Sequence, residues 1–211
     1  MAVVIVNRSD LIDSAQLLNI ITGLNLLLID FANDWKTSAT QCILGPSTEP
    51  GYKLYILDST DAPGAVGYHD ESADGPYGRV FVKTILDSNG TIYEDVSKTI
   101  AHEVMEILIN PYANMWWQLP NGTVCAGEVC DPVQENSVIV KVGAQNITYS
   151  DWILPKWTDQ KAKVGPFNHL DTLTKPFAMS KGGYMITMST SSDYTVVGEK
   201  PTACLRSKRF T

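Results

Sequence analysis

Apolar and polar positions recur with two different periods along this chain, and the changes of period outline its elements. Residues 3–6 are an unbroken apolar run of the length of a short buried strand. From Leu11 to about residue 35 the spacing becomes helical, with Leu11, Ala15, Leu18, Ile21 and Ile29 as the apolar positions. Ser9 or Asp10 is placed to cap that helix, and Gly23 either kinks it or admits a close neighbour. Cys42–Leu44 and Tyr52–Leu57 read as strands joined by the turn-rich Gly45-Pro-Ser-Thr-Glu-Pro-Gly51. A strand end over 65–70 leads into a polar loop that runs to Gly78. Over 79–85 the alternation of Arg-Val-Phe-Val-Lys-Thr-Ile, rich in β-branched residues, predicts another strand. After a turn at 87–90, Glu94 and Asp95 put negative charge where the next helix begins, which suits its dipole.

That next helix, residues 99–111, is the most informative stretch. It reads Thr-Ile-Ala-His-Glu-Val-Met-Glu-Ile-Leu-Ile-Asn-Pro, and its ionisable side chains are His102, Glu103 and Glu106. In a helix, His102 and Glu106 project from one face, with Glu103 about a quarter-turn away. An imidazole and a carboxylate so placed can grip one metal ion, leaving Glu103 to accept a proton from the attacking water. The pattern is H-E-x-x-H with glutamate in place of the second histidine. Such a pentad arises by chance in roughly one or two chains per hundred of this length, so alone it decides little. Its flanks decide more: Ile100, Ala101, Val104, Met105, Ile107, Leu108 and Ile109 make the helix a buried one, and buried charges require a partner or a metal.

With 211 residues, 44% of them hydrophobic and 18% charged, the chain has the composition of a globular protein with room for a generous core. A net charge of −7 speaks against nucleic-acid binding, and the basic cluster Arg206, Lys208 and Arg209 is confined to the last six residues. The start lacks a basic region and its apolar run is too short for a signal peptide. The apolar stretch around 24–29 is broken by Asn25 and Asp30, so no membrane span is expected. Four cysteines, Cys42, Cys125, Cys130 and Cys204, are too few for a disulfide-built scaffold. Cys125 and Cys130 read first as free thiols, then as a bridge across a tight loop, then as thiolate ligands. The sequons at Asn7, Asn89, Asn121 and Asn146 read as turn chemistry.

Past Pro111 a Trp-rich loop or hairpin leads to Val124-Cys-Ala-Gly-Glu-Val-Cys-Asp-Pro132, in which Glu128 and Asp131 can fold back toward the helix. Beyond it, 138–142 and 184–188 alternate well enough to pair as strands. Residues 150–157 and 175–184 read as strand, turn and strand, and Gly182-Gly183 as a turn or a close backbone approach. The element order, with a helical His102-Glu103-x-x-Glu106, a Trp-rich stretch and then Glu128-x-x-Asp131, resembles the zincin metallopeptidases, and more closely a loosely described group of zincin-like proteins from bacteria and phages. The likeness covers about residues 1 to 135, and 150–157 and 175–184 are similar to segments of phage-encoded members. Asn110 stands where that group has Asp.

The resemblance implies an α+β fold. A zincin-like core over 1–135, made of a mixed twisted sheet with a backing helix and an active-site helix, would be followed by a mostly β extension over 136–211. It implies His102, Glu106 and Glu128 as metal ligands, with Asp131 either the alternative third ligand or the acceptor that orients His102. Glu103 would be the general base and Tyr112 or Tyr68 an oxyanion donor, with zinc as the ion and calcium or manganese open because the donor set is hard and negative. His69 and His169 read as loop or core histidines, His69 having the better claim to line the cleft. Two functions follow as expectations. One is a metal-dependent peptidase acting on a peptide or protein; the other is a virion structural protein that keeps the ion as a staple, contacts other virion proteins and can self-associate. The place of action would be the virion or the host cytoplasm. A serine or cysteine hydrolase has no G-x-S-x-G to support it.

Overall fold

A computed structural model describes residues 2–189 and 193–199; Cys204, Arg206, Lys208 and Arg209 lie outside the described residues. The initial apolar run is β1 (Val3–Asn7), which enters a five-stranded sheet. Its other members are β2 (Cys42–Leu44), β3 (Tyr52–Leu57), β4 (Gly67–Ser72) and β5 (Gly75–Phe81), and the order is β2-β1-β3-β5-β4. β2, β1, β3 and β5 are parallel, whereas β4 returns antiparallel to β5 and forms an edge.

Helix α1 (Ser14–Trp35) begins later than its apolar pattern suggests, because Asp13 is the residue that closes a capping box with Gln16. Ser9 and Asp10 bond to Asp58 instead. The buried face is also a different one: Leu17, Ile20, Leu24, Leu27, Leu28 and Phe31 enter the core, while Leu11, Leu18 and Ile29 are exposed. A helix apolar on nearly every side gives a periodicity reading no sharp answer. Gly23 serves close packing, since the Tyr149 hydroxyl sits where its Cβ would be and donates to the Ile20 carbonyl at 2.8 Å. By length and composition α1 could cross a membrane, a test that a core helix also passes. Asn25, at its centre, bonds both backbone groups of Cys42 at 2.7 and 3.0 Å and ties the helix to β2.

The strand expected over 79–85 stops at Phe81, and α2 (Val82–Asp87) follows. Val82 and Ile85 are both buried, three residues apart, so the same apolar residues satisfy a helical period once Lys83 N–H bonds the Asp58 carbonyl and turns the chain. A π-helical turn, Ile92–Val96, carries Glu94 and Asp95 and runs directly into α3 (Ser97–Ile109).

Beyond α3 come β6 (Trp116–Gln118), β7 (Val124–Ala126), β8 (Ser137–Val142), β9 (Gln145–Ser150), β10 (Tyr184–Met188) and β11 (Tyr194–Gly198). β8 and β10 do not pair with each other. β8 forms a hairpin with β9, and β10 lies between β7 and β11 in an antiparallel sheet that ends with β6. Alternation marks a strand but does not choose its partner. Nor do 150–157 and 175–184 supply strand, turn and strand. After β9 the chain makes a single bridge, Ile153 with Asn168, then a 3-10 turn, Pro155–Thr158, and no further strand until Tyr184.

The molecule is thus α+β, with a mixed sheet and an antiparallel C-terminal part. One apolar core runs from Val3 through α1 and α3 to Trp152, Trp157 and Met185. Its continuity crosses residue 135, and β6 and β7 share a sheet with β10 and β11.

Candidate metal centre

Four segments deliver ionisable side chains into one buried cluster, called the pocket below. α3 contributes His102, Glu103 and Glu106; β4 contributes His69; the loop after β7 contributes Glu128; and the 3-10 turn Asp131–Val133 contributes Asp131. None of the six is more than 5% exposed, a burial that such groups tolerate only when compensated.

The helix does its part by spacing alone. His102 Nε2 lies 3.0 Å from Glu106 Oε1, one turn along, and 3.2 Å from Asp131 Oδ1. The loop is fixed at several points. Gly127 N–H bonds the Met115 carbonyl at 2.8 Å, Ile153 N–H bonds the Val129 carbonyl at 2.8 Å, and Cys130 N–H donates to Glu106 Oε1 at 3.3 Å. Gly183 lets the turn settle, because a Cβ there would collide with the Pro132 carbonyl. Of the two expected third ligands, Asp131 is therefore the one beside His102 Nε2. Glu128 Oε2 instead stands 3.7 Å from His69 Nε2.

His69 is the residue that sequence reasoning left outside the ligand set, although it sits at the centre of the pocket. Its Nε2 is 3.1 Å from the Asn110 carbonyl, and since a carbonyl can only accept, Nε2 carries the hydrogen of that bond. Nδ1 then faces Glu106 Oε2 at 3.6 Å and Glu103 Oε2 at 3.8 Å. Both separations are too long for hydrogen bonds, and Nδ1 has no hydrogen-bond partner. The signal that could have found His69 is its place on the strand expected to border the cleft. Asn110 matters through its main chain toward His69, while its side-chain oxygen accepts from Asn114 and Met115 N–H and shapes the loop that follows.

Electrostatics reflect this crowding. Burial pushes the Glu106 carboxyl up, but His102 and His69 outweigh it and hold the group well below the usual carboxylate range. Burial opposes charge on His69, yet Glu128, Glu103 and Glu106 raise it well above the ordinary imidazole value. Glu128 is driven upward by burial first, with Glu106, Asp131 and Glu103 adding to the effect against the pull of His69.

Two overlapping trios of these donors are close enough to hold a cation, and neither includes Glu128 or Asp131. Imidazole and carboxylate atoms of His102 and Glu106, joined by Cys130 Sγ, lie within 4.8 Å of one another, and so do those of His69, Glu103 and Glu106. Cys42, Cys125 and Cys130 form no disulfide among the described residues. Tyr68 lies outside the pocket, packed with Ala62, Ala65 and Phe81 and bonded through its hydroxyl to Asp61. Tyr112 is exposed just past the helix, and His169 stacks on Trp152 with Nδ1 3.1 Å from Asp34. Comparison of the chain with protein-family models, with characterised proteins and with solved structures finds no match.

Proposed function

We propose that this protein is a divalent-metal-dependent hydrolase of peptide-type bonds with a zincin-like core, in which His102, Glu106 and Asp131 hold the ion. The observation that carries the reading is the approach of Glu106 Oε1 and Asp131 Oδ1 to within 3.0 and 3.2 Å of His102 Nε2 inside a buried pocket. Zinc suits a site of one imidazole and two carboxylates, with manganese or calcium as competitors for so hard a set. When bound, the ion would polarise a substrate carbonyl and make a nearby water more acidic.

The chain's own groups supply the rest. Glu103, one residue from His102 and buried on the β4 side of the helix, accepts the proton of the attacking water at its carboxylate. β4 is an edge strand whose outer end, Glu71 and Ser72, is exposed and offers backbone groups with which an extended peptide can pair, while Gly67, Tyr68 and His69 at its inner end are buried. Glu128 remains a carboxylate near the centre, available to the ion or to a proton.

A second reading keeps the ion and drops the catalysis. In it the protein is a virion structural component, as its likeness to phage-encoded chains implies, and the metal staples α3 to the loop after β7. Complete burial of the donors favours this reading, because catalytic sites keep a position open to water. One experiment separates the two. Glu103→Gln protein, loaded with one equivalent of zinc, is incubated with a proteome-derived peptide library and read by mass spectrometry beside the parent. Retained zinc with lost cleavage supports the hydrolase. A parent that binds zinc and cleaves nothing supports the staple, and a parent that binds no divalent ion removes both.

A further inference from the structure

Glu106 is the hinge of the pocket. Its Oε1 meets His102 Nε2 at 3.0 Å and its Oε2 meets His69 Nδ1 at 3.6 Å, so the two oxygens of one carboxylate address imidazoles from different elements. Around each imidazole stands a further carboxylate: Asp131 Oδ1 at 3.2 Å from His102, and Glu103 Oε2 at 3.8 Å from His69. We infer that the pocket holds two divalent cations that share Glu106, the first between His102 and Asp131 and the second between His69 and Glu103. The inference rests on the reading that this pocket binds divalent metal.

Three observations carry it. The first is the set of separations. Two donors bound to one tetrahedral ion at ordinary zinc distances stand about 3.3–3.5 Å apart, and the four contacts just given span 3.0–3.8 Å. The second is the direction in which His69 Nδ1 points. With the Nε2 hydrogen committed to the Asn110 carbonyl, Nδ1 points at two carboxylate oxygens beyond hydrogen-bond reach, in a residue 2% exposed. Glu128 Oε2, also buried, likewise has no hydrogen-bond partner. The third is the pairing of donors. Each imidazole has a carboxylate of its own, Asp131 for His102 and Glu103 for His69, besides the shared Glu106, and neutral imidazole with carboxylate is a donor pair that divalent cations take.

The second ion changes the role of Glu103. In the one-ion form this carboxylate is the proton acceptor; in the two-ion form it is a ligand. Excess metal therefore withdraws the base that a single equivalent leaves free.

Titration of the chelator-treated full-length chain with manganese chloride tests the inference, by calorimetry for stoichiometry and by electron paramagnetic resonance for proximity. Two equivalents bind, and the second converts the isolated-ion spectrum into an exchange-coupled one, since ions sharing a carboxylate lie about 3.5–4 Å apart. His69→Gln and Glu103→Gln each reduce binding to one equivalent and abolish the coupling, with the affinity of the remaining site within a few-fold of the parent's first. A parent that binds one equivalent, or two without coupling, overturns the inference while leaving the one-ion reading intact. A parent that binds none overturns both. Because the coupling is read on the parent, the outcome does not depend on either variant folding.

Discussion

Buried acids in this molecule are treated in two opposite ways. Asp151 is fully enclosed, and donors surround it. Its Oδ2 accepts from Asn168 Nδ2 at 2.6 Å and Asn136 Nδ2 at 3.0 Å, while Oδ1 accepts from Trp152 N–H at 2.8 Å. Asn168 in turn accepts from Thr172 and Leu173 N–H, so the network closes on itself and pins 168–173 against the end of β9. Glu106, Glu128 and the acids beside them instead face imidazoles and one another. Neutral donors oriented toward a carboxylate are a structural solution that needs nothing further. Carboxylates gathered around imidazoles carry a burial cost that a proton or an incoming cation relieves.

Removing Asp151 should have the largest effect on stability. Asp151→Ala strands the donors of Asn136, Asn168 and Trp152, and we expect a loss of about 3 kcal/mol or more in urea unfolding. The loss should be the same with and without divalent metal, and a metal-dependent loss would erase the distinction between the two regions. Next, saturating the parent with zinc at about one hundred times the dissociation constant should add about 2.7 kcal/mol to its unfolding free energy, reversed by chelator. His102→Gln should abolish that increment and Asp151→Ala should keep it.

A smaller effect concerns pH in the metal-free protein. Glu106 is held below the ordinary carboxylate value of 4.5, so its contribution is present above that value and fades as pH falls through its folded value. His69 is raised above 6.5, so its contribution is complete below 6.5 and fades as pH rises. Glu128, raised above 4.5, also loses its contribution as pH rises. Metal-free stability should therefore peak under mildly acidic conditions and decline on both sides, and saturating metal should flatten the alkaline limb. A metal-free profile that rises toward pH 9 would contradict the assignment. Smallest of all, Glu128→Gln should raise metal-free stability at pH 8 by about 1 kcal/mol while weakening metal binding.

What could be read from the chain follows from the range of the forces involved. β1, Cys42–Leu44, Tyr52–Leu57 and Tyr184–Met188 were legible because a strand's alternation or apolar run is local. His102, Glu103 and Glu106 of α3 were legible because spacing along a helix is spacing in space. Local pattern could not separate strand from helix at Val82 and Ile85, nor find the buried face of α1 among so many leucines. It could not deliver His69 either, since its role depends on β4 folding back along β5 to lie over α3. Likewise the choice between Glu128 and Asp131 at His102 Nε2 is made by a 3-10 turn whose seat depends on the long-range contact of Gly183 with Pro132.

Gly67 on β4 ties the shape of the sheet to the contents of the pocket. Glu103 Oε1 would lie 2.8 Å from a Cβ at that position, so the acid occupies space that only a missing side chain leaves open. Sliding β4 by one step would bring the side chain of Val66 or Tyr68 to this spot and evict the carboxylate. Strand alignment and the position of Glu103 are thereby governed by the same void, so on the proposed hydrolase reading a mispaired edge would announce itself as lost cleavage before it showed as an unstable fold.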